Sequence, residues 1–269
     1  MPWIDANGIS IHYDLAGDGA SVVLLHEMGG TLDSWDGIAP ALRTRFRVLR
    51  YDQRGAGLSE KVRQPYTNDT LVDDLDAVLQ ATGLEAPYHF VTVAAATAQA
   101  LVFMHRHPSW VASFVFCNPL AGIDPARASA LDERAAFTER EGMRAALPVT
   151  LDKSWPSDIG DLAAYQSYRA RYLASDPVSF ALVNRMLGRT DCRHLVKDIR
   201  CPTMIVAGRF DQVRPPATSE EFARQIPGAR FELIDACHMM PAQAPTLLLA
   251  LIEDFLATTA APAARRRTY

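Results

Sequence analysis

Short apolar, β-branched or aromatic runs alternate along the chain with longer stretches whose apolar positions recur every three or four residues. The segment from Ile9 to Leu15 alternates, and SVVLLH, FRVLRYD, YHFVTV, ASFVFCN, TMIVAG and RFELID follow it as candidate strands. Helical spacing falls over Leu32 to Leu42, Leu71 to Thr82, Ala96 to Arg106, Thr218 to Gln225 and Pro245 to Leu256. Continuous apolar strands need cover on both faces, so their alternation with helices predicts an α/β fold around a mostly parallel sheet. From Asp124 to about Arg193 the strand runs stop and the pattern is helical, with breaks at Pro148, Pro156 and Pro177. The predicted organisation is an α/β core over 1–123 and 194–259, a helical lid over 124–193 and a flexible tail over 260–269.

Composition narrows the function classes. A chain of 269 residues suits one α/β domain with an insertion, because single cores stop growing near ~250–300 residues. A net charge of -4 supplies no field that gathers nucleic acid or anionic membrane. The one basic cluster, Arg265 to Arg267, lies in an Ala/Thr/Pro-rich terminus expected to be solvated and frayed. Cys117, Cys192, Cys201 and Cys237 have no metal-type spacing, and no disulfide framework is needed at this size. No signal-like region and no stretch of ~20 apolar residues is present, so a soluble, cytoplasmic protein without cofactor or metal is expected. Its partner is a small-molecule substrate, with neither nucleic acid nor membrane, and its state is monomer or homodimer.

The motifs add a resemblance. HEMGG from His26 to Gly30, YDQRGAGLSE from Tyr51 to Glu60, VAGRFDQVRPP carrying Asp211 and DACHMMPAQAP carrying His238 together resemble the α/β-hydrolase family. The likeness runs roughly from Ile9 to Leu256 and is greatest for the bacterial 3-oxoadipate enol-lactonase and carbon–carbon hydrolase branch. It implies the α/β-hydrolase fold, with an eight-stranded, mostly parallel sheet, helices on both faces and an inserted helical lid. It also implies backbone N–H donors for an oxyanion at Met28 and Ala95. Asp52 and Arg54 are expected to brace their turn.

The family's serine is missing. Family members commonly place a proline fourteen positions after that serine, and Pro108 puts Ala94 there. Thr92, Ala96 and Thr97 also replace the usual glycines, which points to natural divergence and to a less strained turn. Chain order still supplies an acid, Asp211, and a histidine, His238; an acid on one imidazole nitrogen leaves the other free as a base. Glu27 stands where most relatives carry glycine. It either faces the substrate cavity, as general base or water holder, or forms a salt bridge with an arginine. Cys117 ends a strand near the elbow but nothing cationic marks it as activated, so a buried, inert thiol is expected. His12, His89, His105, His107 and His194 match no motif and are expected at the surface or in caps.

Without a serine at Ala94 no acyl-enzyme can form there. The resemblance therefore implies an enzyme acting on a small carbonyl substrate, an ester, enol-lactone or β-dicarbonyl, through His238 and Asp211 with Glu27. A lyase or isomerase using His238 and Glu27 is the rival within enzymes, and an inactive ligand-binding protein is the rival outside them.

Overall fold

A computed structural model describes residues 2–259; the flexible tail expected over 260–269 lies outside the described residues. Eight strands form one sheet in the order β1-β2-β4-β3-β5-β6-β7-β8. They are β1 (Trp3–Ala6), β2 (Ile9–Ala16), β3 (Ala20–Leu25), β4 (Phe46–Tyr51), β5 (Tyr88–Val93), β6 (Val111–Cys117), β7 (Thr203–Gly208) and β8 (Arg230–Ile234). The β1/β2 and β2/β4 pairs are antiparallel and all others parallel. β1 is the strand that the apolar pattern does not disclose, because Trp3 and Asp5 are exposed at the sheet edge.

The helices are α1 (Ala39–Leu42), α2 (Asn68–Thr82), α3 (Ala96–Arg106), α4 (Pro125–Ala146), α5 (Leu151–Ser154), α6 (Leu162–Leu173), α7 (Pro177–Gly188), α8 (Pro216–Arg224), α9 (Met240–Gln243) and α10 (Pro245–Thr259). The single helix expected over Leu32 to Leu42 is instead a 3-10 turn, Leu32–Trp35, followed by the four-residue α1. Pro40 explains the division, since it lacks an N–H and is tolerated only in the first helical turn. None of the described helices is long and apolar enough to cross a membrane.

Every residue of β5 and β7 is buried, which is the burial a parallel sheet covered on both faces requires. One apolar cluster joins Phe90, Phe103, Phe114 and Phe116 to α2 and α3, and a second joins Val22, Val91, Val115 and Val206 to α10. The insertion between β6 and β7 is helical, from α4 to α7, and α4 breaks at Gly142, whose φ is +82°. Its own core gathers Trp155, Tyr165, Tyr168, Tyr172 and Phe180 around Met239 of the loop after β8. The insertion thereby packs on the carboxyl edge of the sheet, where the motif-bearing loops end.

Two histidines contradict the expectation of surface or capping positions. His12 is buried on β2 with Nδ1 2.8 Å from Asp52 Oδ2, and His89 is buried on β5 with Nδ1 2.8 Å from Ser113 Oγ. Buried rings need polar partners, so His12 takes Asp52 of the loop after β4 and His89 takes Ser113 of β6. Burial also lowers the His89 pKa, which favours the neutral ring.

Candidate active site

The turn that carries Ala94 follows β5 directly. Ala94 has φ +48°, in the left-handed region that costs an L-residue roughly 1–2 kcal/mol. The expectation of a less strained turn is thus overturned: the strain remains although serine and glycines are gone. Its cause is tertiary, because Ala94 N–H donates to the Cys117 carbonyl at 2.9 Å while the Ala94 carbonyl accepts from Leu120 at 3.2 Å. Both bonds tie the turn to the end of β6 and hold it sharp.

The HEMGG turn runs after β3. Gly30 N–H closes it on the Glu27 carbonyl at 3.0 Å, and a Cβ on Gly30 would collide with Glu27 Oε1. Glycine at position 30 therefore makes room for the Glu27 carboxylate. His26 is structural, since Nδ1 lies 2.8 Å from the Glu27 carbonyl and Nε2 accepts from the Gln53 N–H at 3.0 Å.

Glu27 is 2 % exposed and pairs with no arginine among the described residues. Its Oε1 accepts from Ser34 Oγ at 2.8 Å and from the Tyr168 hydroxyl at 2.5 Å, whereas its buried Oε2 has no donor among the described residues. Burial first, and then the neighbouring Glu27, hold the Tyr168 phenol well above the ordinary tyrosine value. Tyr168 is therefore a proton donor to the carboxylate, and the salt-bridge alternative for Glu27 does not hold.

His238 sits in the loop after β8, with Nδ1 2.6 Å from Asp211 Oδ2. Asp211 Oδ1 accepts from the backbone N–H groups of Val213 and Arg214 at 2.7 and 2.8 Å, so both carboxylate oxygens are committed. The His238 N–H donates to the Ser154 carbonyl of α5 at 3.1 Å, and Asn118 Nδ2 reaches the Cys237 and His238 carbonyls at 3.3 Å. Asn118 Oδ1 also accepts from Gly208 N–H at 2.9 Å, which locks the loop to the ends of β6 and β7. Asn118, with φ +47°, is a positioning residue that the motifs alone do not reveal.

Glu27, Met28, Ala94, Ala95 and His238 line one cavity of about 550 Å³. Among the described residues the Met28 and Ala95 N–H groups donate to no other group, which leaves both for a bound oxygen. Met28 and Ala95 follow the two turns just described, one after β3 and one after β5. Cys117 is fully buried, and burial followed by the Glu27 charge pushes its thiol up, in keeping with an inert side chain. Thr92 and Thr97 are buried with hydroxyls 3.4 Å apart. Asp52 takes the N–H groups of Leu32 and Leu58 at 2.7 and 2.9 Å, while Arg54 pairs with Asp74 of α2. Both brace their turn away from the cavity. Of the aromatic residues in the insertion, Phe137 and Tyr172 line the cavity, while Trp155, Tyr165 and Phe180 pack with Tyr172 in the insertion's core.

Similarity to known proteins shows the family of the chain. A protein of Caulobacter sp. (strain K31), provisionally named carbamate hydrolase RutD, is 29% identical over 258 residues, covering 93% of this chain and 96% of its own. The 3-oxoadipate enol-lactonase 1 of Acinetobacter baylyi is 27% identical, with 88% of each chain covered. The crystal structure of the enol-lactonase from Burkholderia xenovorans LB400 superposes with a TM-score of 0.89 at 27% identity, over 95% of this chain and all of that one. Residues 18–240 match the family described as Serine aminopeptidase, S33. The chain belongs to that family of α/β-hydrolases.

Proposed function

We propose that this protein hydrolyses a small carbonyl substrate, an ester, enol-lactone or carbamate, by base-activated water rather than through an acyl-enzyme. The carrying observation is that Ala94, which has no nucleophilic atom, shares its cavity with a complete His238–Asp211 pair. Names borne by the relatives supply the substrate classes.

The step follows from the geometry. Asp211 fixes the proton on His238 Nδ1, leaving Nε2 to take a proton from water as hydroxide adds to the carbonyl carbon. The resulting oxyanion is received by the N–H groups of Met28 and Ala95, two residues that line the cavity. Collapse of the tetrahedral species breaks the bond to the leaving group, and the imidazolium returns its proton to that group. Glu27, whose carboxylate belongs to the cavity wall, orients the attacking water. The helices from α4 to α7 act as the lid over this reaction.

A proton-transfer reading, as lyase or isomerase, rests on Glu27 and His238 lining one cavity as two candidate bases. The two readings part in one experiment. Single turnover in H2(18)O places label in the acid product of hydrolysis, with no covalent protein adduct by intact mass. His238→Ala and Glu27→Gln should each lower the rate by about 10²–10⁴-fold, the usual scale for a general base. Turnover insensitive to both substitutions would sink the proposal.

A further inference from the structure

The sheet ends at β8, which among the described residues pairs with β7 alone. Every residue of β7 is buried, yet all five of β8 are at least partly exposed, although Phe231, Leu233 and Ile234 are apolar. One bond fixes the direction of the backbone along this edge. Arg209 N–H donates to the Ile234 carbonyl at 2.9 Å and Ile234 stands opposite Gly208, so Ile234, Glu232 and Arg230 turn their backbone groups toward β7. Phe231 and Leu233 therefore aim theirs outward, where among the described residues they bond to nothing. Edges left in water are ordinarily blunted by lysine, proline or a bulge, and β8, reading RFELI in unbroken register with β7, has none of them. Its two charges meet each other, because Arg230 lies 2.6 Å from Glu232 and 2.5 Å from Asp254 of α10. Leu233 is 37 % exposed, and Phe210, whose N–H donates to the Ala236 carbonyl just past the strand, is 43 % exposed.

We propose that β8 is the interface for a second copy of this chain, the two strands pairing antiparallel about a two-fold axis at Phe231. Facing residues of an antiparallel pair share one backbone direction, so the axis has to set a residue opposite its own counterpart. Charge then selects among the five residues of the strand. An axis at Arg230 or Glu232 sets like charges opposite each other, and an axis at Leu233 or Ile234 leaves both charges without an opposite. Only Phe231 as centre sets Arg230 of each copy opposite Glu232 of the other, and it does so twice. In that register the outward N–H and C=O of Phe231 bond to those of the second Phe231 in both directions. Arg230 and Glu232 fall at the positions without backbone bonds, where facing side chains approach most closely. A patch that is its own complement closes on itself, so the product is a dimer with one continuous sheet rather than a filament.

Sedimentation velocity of the full chain, at rising concentrations up to about 100 µM, should show a species of twice the 29.6 kDa chain mass. Arg230→Glu and Glu232→Arg each set like charges opposite one another and should weaken association about tenfold or more. Leu233→Pro should do the same, since it removes an outward N–H that the single chain leaves unused. Mixing the Arg230→Glu and Glu232→Arg proteins should restore a dimer, because every facing pair then holds opposite charges again. Hydrogen exchange reads the same interface without substitution: the Phe231 and Leu233 amides should be protected in the native dimer. A native chain that stays monomeric at the highest concentration overturns the proposal. So does a dimer that all three variants leave intact, a mixture that remains monomeric, or exchange of both amides at the rate of exposed ones.

Discussion

The hydroxyl of Tyr168, on the inserted α6, donates to Glu27 Oε1 at 2.5 Å, joining the insertion to the turn after β3 through one buried hydrogen bond. Ser34 Oγ donates to the same oxygen at 2.8 Å, so two donors hold Oε1 while Oε2 has no partner among the described residues. An acid in this position is organised by residues 7 and 141 positions away in the chain.

Tyr168→Phe removes one of these donors and leaves the ring packing intact. Loss of a buried hydrogen bond to a charged group costs about 1.5–3 kcal/mol. Urea unfolding should show a destabilisation of that order with unchanged slope, and turnover should fall while His238 keeps its place. An unaltered midpoint would mean that the short Tyr168–Glu27 contact contributes nothing to stability.

Ala94→Ser places a hydroxyl on a turn that is already held sharp by the Cys117 and Leu120 hydrogen bonds. Intact mass spectrometry with a fluorophosphonate should reveal an adduct on Ala94→Ser and none on the native chain. The adduct should vanish in the double variant with His238→Ala. Labelling of the native chain would place a nucleophile elsewhere.

Asn118→Ala strips three bonds that join the loop of His238 to the ends of β6 and β7. Unsatisfied buried partners cost about 1–3 kcal/mol, and kcat should fall more than KM rises because His238 loses its seat. A change confined to KM would contradict the positioning role.

Burial, and after it Asp211, pushes the Cys237 thiol up to about 11. At pH 8 the thiolate fraction is then on the order of 10⁻³, so iodoacetamide should leave Cys237 unmodified in the folded chain and alkylate it after denaturation. An unfolded thiol ionises from about 8.5. The folded pKa is the higher one, so this group's stabilising contribution is complete below about 8.5 and declines toward pH 11. Urea unfolding at pH 8 and pH 10.5, with Cys237→Ala as reference, measures that decline. An equal drop in both proteins would remove Cys237 as its source.

The sequence by itself determined the sheet and the motif-bearing loops. Continuous apolar runs such as YHFVTV can be satisfied only by cover on both faces, and Asp211 and His238 keep motif surroundings that are local in sequence. Tertiary structure decided the rest. The strain at Ala94 comes from hydrogen bonds to Cys117 and Leu120, residues whose distance in sequence hides their closeness, so the glycine count around Ala94 pointed the wrong way. The choice between salt bridge and cavity for Glu27 fell to Tyr168, and Arg134 of the insertion and Arg214 of the core line one cavity although 80 residues separate them in the chain. Periodicity encodes which face of an element is buried. It does not encode which polar side chains on distant elements share that burial.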